Sequence, residues 1–298
     1  MKYSVAIDIG GTNTRVALAD EELNIIERKQ FATDSENPDV TLGKIAEVIK
    51  NFDCDIVGAG MSCPGPLDLI NGKILTPPNL KGQWHNLKVA EELSKLINKP
   101  VYLENDANLA GLAEAVVGEG KDYNYVQFFT VSTGLGAGFV INKEIYHGAH
   151  GFGNEVANCV MMKDGPSHGS IIHGGIEAIS SGTAITSRAV KAGLDVKHAG
   201  EVNDLAKAGN EVAKQIMDDA KEYLANFIGV VYGYADPEIV ILGGSVALKI
   251  DGFVEEVEAL AKERVYEIMK PYVKVRKSTL NEDSGLIGAA YLAFSKAE

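Results

Sequence analysis

Cysteine is scarce. Cys54, Cys63 and Cys159 are the three in 298 residues, too few and too scattered for a disulfide scaffold. A reducing, cytoplasmic setting is the expectation. Long apolar runs are missing: no stretch approaches the roughly 20 residues of a membrane span, and no membrane partner is expected. Basic clusters are missing too. The net charge is −13 with Lys and Arg dispersed, which argues against broad nucleic-acid binding. No low-complexity tract or biased linker interrupts the chain. Met1-Lys2-Tyr3 leads straight into a strand pattern, with no signal-peptide layout.

What is present is a 46% apolar composition, enough for a substantial core in one large domain or two ordinary ones. The stretches 3–7, 16–19, 25–31, 56–61, 100–103, 125–131, 139–141, 238–242 and 273–277 read as strands. Helical spacing recurs over 41–49, 87–97, 109–117, 183–192, 203–234, 253–268 and 286–294, the last after a polar turn over 282–286. The class is α/β.

Asp8-Ile-Gly-Gly-Thr12 lies between two such strands and reads as a hairpin with a polar tip. Gly10 and Gly11 let backbone approach a ligand closely, and successive N–H groups in such a turn cradle an anion. Asp8 at the strand end is placed to orient a hydrated Mg2+, with Thr12 and Asn13 adding polar contacts. The pattern returns in Ser132-Thr-Gly-Leu-Gly-Ala-Gly138, again strand, Gly/Thr turn, strand. Two such hairpins can grip one polyphosphate. Neither is a P-loop, since Gly-Lys-Ser/Thr is missing, and a dinucleotide fold lacks its following helix and acidic partner. Gly243-Gly244-Ser245 after a strand allows approach of a flat ligand such as a nucleoside.

Asp106, between a strand end and a helix start, is placed to take a proton from a hydroxyl as general base, with Asn105 positioning that substrate. The competing account is helix capping by Asp106 or Asn108. Asn79 and Trp84 in a polar loop suit a sugar hydroxyl and a sugar face, or Trp84 closes the core. Cys63, after a buried strand, is either a nucleophile or a small buried residue, and no histidine stands near it in the chain. Four of the six histidines fall between 147 and 173, but His168, Ser170 and His173 lack the thiolates of a structural zinc site.

Together these residues resemble the ROK family of sugar kinases across essentially the whole chain. Asp8–Thr12 and Thr133–Gly138 resemble its two phosphate loops, Glu104-Asn-Asp-Ala-Asn108 its catalytic segment, and Ile241-Leu-Gly-Gly244 its nucleoside-side motif. The resemblance implies a two-lobed actin-like, ribonuclease-H-like α/β fold with mixed sheets and an interdomain cleft. Residues 1–118, completed by the terminal helix 286–298, would form one lobe and 119–285 the other.

It implies ATP and Mg2+ as cofactors, Asp106 as base, and a hexose O6 as acceptor, glucose or a relative, with N-acetylmannosamine or a β-glucoside as alternatives. Asp8, Gly10, Gly11, Thr12, Thr133, Gly134, Gly136, Gly243 and Gly244 would serve the nucleotide and its phosphates. Asn79, Asn105, Glu155, Asn158 and Glu177 would serve the sugar.

The family's Gly-Glu-Ile-Gly-His is Asn154-Glu-Val-Ala-Asn158 here, and its Cys-rich loop is His168-Gly-Ser-Ile-Ile-His-Gly-Gly-Ile-Glu177. The zinc-ligating histidine is Asn158, and the three cysteine positions are His168, Ser170 and Gly175. No zinc is expected, and packing should hold the loop. A homodimer is implied. A non-catalytic sugar sensor and a generic actin-like ATPase are the rival readings. Because the chain opens on the phosphate motif, no helix-turn-helix is expected before it.

Overall fold

The computed structural model describes residues 2–77, 79–280 and 283–297. The chain divides into two compact units, one of Met1–Ala113, His147–Phe152 and Leu280–Glu298, the other of Glu114–Tyr146 and Gly153–Thr279. Residues 147–152 and 283–285 thus group with the first unit and 114–118 with the second, where the resemblance implies the reverse.

In the first unit, β1 (Tyr3–Ile9), β2 (Asn13–Asp20) and β3 (Ile25–Ala32) form an antiparallel meander. After α1 (Pro38–Asn51), β4 (Ile56–Ser62) returns parallel to β1. A short pair, β5 (Leu67–Asp68) and β6 (Lys73–Ile74), and α2 (Val89–Ile97) lead to β7 (Val101–Glu104), parallel to β4, and to α3 (Asp106–Val116). The strand order is β3-β2-β1-β4-β7. The interior strands β1 and β4 read as nearly continuous apolar runs because both faces are covered. The terminal helix Ser284–Ala297 packs on β1 and β4. It comes so close that a Cβ on Gly60 would lie 2.0 Å from the Ala289 carbonyl oxygen.

Two open readings close here. Trp84 is fully buried, and its indole Nε1 donates to the Asp34 carbonyl at 2.8 Å, so it belongs to the core and covers no sugar. Cys63 is buried, and burial, with Asp8 adding to it, pushes its thiol well above the usual range. A thiol held protonated in apolar surroundings is no nucleophile.

The second unit repeats the plan. Strands β8 (Tyr125–Val131), β9 (Leu135–Ile141), β10 (Glu144–Ile145), β11 (Ile239–Gly243) and β12 (Val275–Lys277) are ordered β10-β9-β8-β11-β12, with β8, β11 and β12 parallel. Between them run α4 (Ile176–Ser180), α5 (Gly182–Lys191), α6 (Ala199–Lys207), α7 (Glu211–Ala235), α8 (Gly244–Lys249) and α9 (Phe253–Lys262). Phe129 of β8 meets Phe227 of α7 edge-on, ring centroids 5.7 Å apart.

The helical run expected over 203–234 is two helices. Gly209 at φ +91° breaks it, and Asn210 caps α7 by accepting from the Ala213 amide. Likewise α9 stops at Lys262, short of 268. Of the polar turn expected over 282–286, Glu282 lies outside the described residues. Among the described residues, no helix is long and apolar enough to cross a membrane.

Candidate active site

Asp8, Ser62 and Glu104 stand in one register row at the ends of three neighbouring parallel strands. Carboxyl ends of parallel strands are where α/β sheets place ligands. Ser62 Oγ donates to Asp8 Oδ1 at 2.6 Å, while Arg15 Nε and Nη2 donate to Oδ2 at 3.0 and 2.8 Å. Arg15 is the cross-strand partner of Asp8 in the β1–β2 hairpin. Sequence reasoning missed it, although residues equidistant from a tight turn face each other.

Magnesium keeps most of its waters and takes one or two carboxylates plus substrate phosphates. Asp8, with both oxygens already bonded, fits contact with such an ion through water. Among the described residues, no three His, Cys, Asp or Glu side chains form a metal cage.

The first turn is closed by Gly10 N donating to the Asn13 carbonyl at 2.8 Å. A Cβ on Gly11 would stand 2.6 Å from the Asn79 Cβ, so the loop carrying Asn79 presses on the turn and leaves room only for glycine. Thr12 and Asn79 are exposed beside it.

The segment 104–108 joins β7 to α3. Its cap is neither Asp106 nor Asn108. Asn105 Oδ1 accepts from the Ala107 amide at 2.8 Å and the Asn108 amide at 3.3 Å. Asp106 Oδ1 also accepts from Ala107 N at 2.8 Å. The Asp106 side chain opens to solvent on one side, yet the protein crowding its other sides raises its pKa, an effect that Asp8 reinforces. Behind it Glu104 is buried. Its Oε1 accepts from Asn105 N and Asn108 Nδ2, both at 2.8 Å, and its Oε2 lies 2.6 Å from His147 Nε2.

In the second unit the tip of the β8–β9 hairpin is Ser132–Gly134, closed by Ser132 N donating to the Gly134 carbonyl at 2.9 Å. Thr133 is exposed at the tip, and Gly136 sits within β9 opposite Thr130, outside the turn. A cavity of about 1,010 Å³ opens beside Ser132 and Thr133, lined further by Thr183, Ser187, Val190, Asn203, Ser245 and Lys249. The residues from α5 and α6 carried no sequence motif.

Packing within the second unit already requires glycine at 243 and 244. A Cβ on the first would meet the Phe128 ring at 2.8 Å. On the second, at φ +84°, it would meet the Val131 carbonyl oxygen at 2.5 Å. The cavity is lined by the neighbouring Ser245 and Val246 instead.

Glu177, in the first turn of α4, accepts from Leu135 N on Oε2 at 2.8 Å and so braces the hairpin. Glu155 is exposed. Asn158 Oδ1 accepts from Ile172 N at 2.9 Å, tying the loop to itself. His173 Nδ1 lies 3.0 Å from the Gly165 carbonyl, Met161 N donates to Gly174 O at 2.8 Å, and Gly174 N donates to Pro166 O at 2.8 Å. These residues do not fit a zinc ion. Hydrogen bonds to backbone tie the loop to itself, and Val156, Cys159 and Met161 pack against the core of the second unit.

A model of the ROK family matches residues 4–296. The chain is 31% identical to a glucokinase of Thermotoga maritima, over 96% of its own length and 95% of that protein's. It is 30% identical to an N-acetylmannosamine kinase of Salmonella heidelberg, over 97% and 98%. The ROK hexokinase of Thermus thermophilus has the same fold, with a TM-score of 0.89, 28% identity and 99% of both chains covered.

Proposed function

The chain belongs to the ROK family and is an ATP-dependent carbohydrate kinase with that family's actin/hexokinase-like fold, and from this premise we propose that it transfers the γ-phosphoryl of ATP to O6 of glucose or a related hexose. The observation that carries the reading is Asp106, open to solvent beside the Asn105 cap with its pKa raised. It takes the proton of the O6 hydroxyl as that oxygen attacks, and a carboxylate of raised pKa is the stronger base. Asn105 spends its oxygen on the helix and keeps its amide hydrogens for the sugar, with Asn79 and the glutamates Glu155 and Glu177 as further sugar partners. Asn158 likewise commits its oxygen to Ile172 N and offers a sugar only its amide hydrogens.

The amides of Gly11, Thr12, Thr133 and Gly134 hold phosphate oxygens, while Gly10 shapes the turn by donating its N–H to the Asn13 carbonyl, and the cavity beside Ser132 takes the nucleoside. When bound, Mg2+ neutralises charge building on the phosphates, and Asp8 orients it through water. Catalysis is then alignment and charge stabilisation.

Glucose is the preferred acceptor because a glucokinase and a hexokinase stand among the similar proteins. The N-acetylmannosamine kinase, of nearly equal identity, supports the second reading. The enzyme would act as a homodimer in the cytoplasm without nucleic acid, which light scattering on the purified protein checks for oligomeric state. An ATP-coupled panel of glucose, mannose, N-acetylmannosamine and a β-glucoside, with the product's phosphate located by NMR, tests the substrate. Glucose 6-phosphate is the expected product. Phosphorylation confined to N-acetylmannosamine overturns it, and sugar binding with no turnover on any acceptor favours a sensor.

A further inference from the structure

Among the buried ionisable groups that phosphoryl transfer does not use, Glu104 stands next to the catalytic segment. Glu104 is 2% exposed and faces three donors: the Asn105 amide and Asn108 Nδ2 on one oxygen, and His147 Nε2 on the other. An ionised carboxylate is the one side chain that accepts on both oxygens with no hydrogen of its own to misplace. A buried charge of this kind persists only when paired and hydrogen-bonded, and His147, when protonated, is an ionic partner for it, at 2.6 Å.

Asn108 depends on the same carboxylate. Its Nδ2 points to Glu104, while its Oδ1 is buried with no hydrogen-bond partner. Nothing else bonded to that amide's oxygen holds it in place, so Glu104 sets its orientation. Glu104 and Asn108 bracket Asn105 and Asp106 in sequence. Both ends of the catalytic segment are therefore pinned by one carboxylate, and that carboxylate is completed by a histidine 43 residues away. His147 opens the short segment His147–Phe152 that groups with the first unit, eight positions before Glu155.

We propose that His147 is a positioning residue for phosphoryl transfer: by completing the Glu104 network it holds Asn105 and Asp106 in the geometry that meets the acceptor hydroxyl. The proposal rests on Asp106 being the base. The charged groups facing His147 are Glu104, on β7, and Lys296, on the terminal helix. The Glu104 hydrogen bond raises the imidazole pKa above its ordinary 6.5, while burial and Lys296 oppose the rise. The imidazolium is present below that raised value and is lost as pH climbs through it.

The test is single-turnover transfer from ATP to the best acceptor of the panel, measured against pH for wild type, His147→Ala, His147→Gln and Asp106→Asn, each checked for thermal stability. His147→Ala should lower the transfer rate about tenfold with KM for ATP little changed, and His147→Gln, which keeps an N–H donor, should recover part of it. Wild type should lose rate as pH rises through the His147 pKa, read independently from the imidazole NMR titration, and His147→Gln should show no such limb.

Unchanged rate and unchanged pH profile in folded His147→Ala overturn the proposal. So does a loss of stability with transfer intact, which would make the pair merely structural. Should His147→Ala fail to fold, His147→Gln and the wild-type titration still decide: a wild-type profile indifferent to the imidazole pKa refutes it. Asp106→Asn separates the two readings. Turnover retained in that variant removes the base assignment itself. Turnover lost there, with the His147 variants unaffected, removes only the positioning role.

Discussion

Arg15 grips Asp8 through two hydrogen bonds to a single carboxylate oxygen, at 2.8 and 3.0 Å, while Ser62 holds the other at 2.6 Å. Asp8 is thus aimed before any ligand arrives, with a guanidinium offsetting its charge. A carboxylate so committed acts on a cation through water rather than by giving up its partners. Asp8→Asn keeps the shape but turns an amide hydrogen toward one of these donors and removes the charge. Turnover should fall about 10–100-fold, the range for losing a partner in a metal's outer shell, with a raised Mg2+ half-saturation. A Mg2+ titration of initial rate reads both, and an unchanged half-saturation would remove Asp8 from the cation site.

Asp106 carries the opposite balance of stability and function. Folding raises its pKa from the model-compound 3.8, first through burial and then through Asp8. The fold therefore binds this proton more tightly than the unfolded chain does. The resulting stabilisation is present in acid and is lost as pH rises through the folded-state value. At neutral pH the ionised carboxylate weighs against folding. Asp106→Asn should cut turnover by about 10²–10⁴-fold, as for loss of a general base. It should also raise Tm at pH 7, with the gain shrinking toward acid. A lowered Tm at pH 7 would refute the sign.

These two carboxylates show what could be read in advance. Asp8 and Asp106 sit where apolar runs give way to Gly- or Asn-containing turns, a local pattern that periodicity exposes. So do both hairpins, because strand, turn and strand are contiguous. Their partners were hidden for physical reasons. Ser62 and Glu104 join Asp8 through parallel pairing across strands 42 to 54 positions distant in the chain, and His147 reaches Glu104 across 43 positions. The cavity-lining residues of α5 and α6 are ordinary polar residues made relevant by packing alone. At Gly243 and Gly244 the sequence pattern signals close approach, and β8 supplies one such approach, through Phe128 and Val131.

Glu177, a proposed sugar partner, is tied to the β8–β9 hairpin, proposed to hold phosphate, through its bond to the Leu135 amide. Truncation leaves that half-buried N–H without its acceptor, a loss of roughly 1–3 kcal/mol felt at the hairpin. Glu177→Ala should therefore raise KM for ATP as well as for sugar, although it is named for sugar contact alone. Isothermal titration with a non-hydrolysable ATP analogue, without sugar, isolates the nucleotide effect. Unchanged nucleotide affinity would show that the brace is dispensable.

The loop from Asn158 to Glu177 depends on backbone geometry where a metal would otherwise cross-link it, and Gly174 is its tightest point. At φ +77°, its missing Cβ would fall 1.8 Å from the Met162 carbonyl oxygen, which accepts from Gly165 N at 3.1 Å, beside the Met161 N to Gly174 O bond. Alanine there must push backbone from backbone and adopt a disfavoured φ, so Gly174→Ala should lower Tm and raise KM for sugar more than KM for ATP. The same logic predicts that a zinc-selective chelator, with Mg2+ in excess, leaves Tm and sugar KM unchanged, and that elemental analysis finds no stoichiometric zinc. Asn158→His alone should not change this, since His168, Ser170 and Gly175 still stand where thiolates would be needed. Loss of activity on chelation, restored by zinc, would mean that a metal and not the Asn158–Ile172 and Met161–Gly174 hydrogen bonds sets the loop.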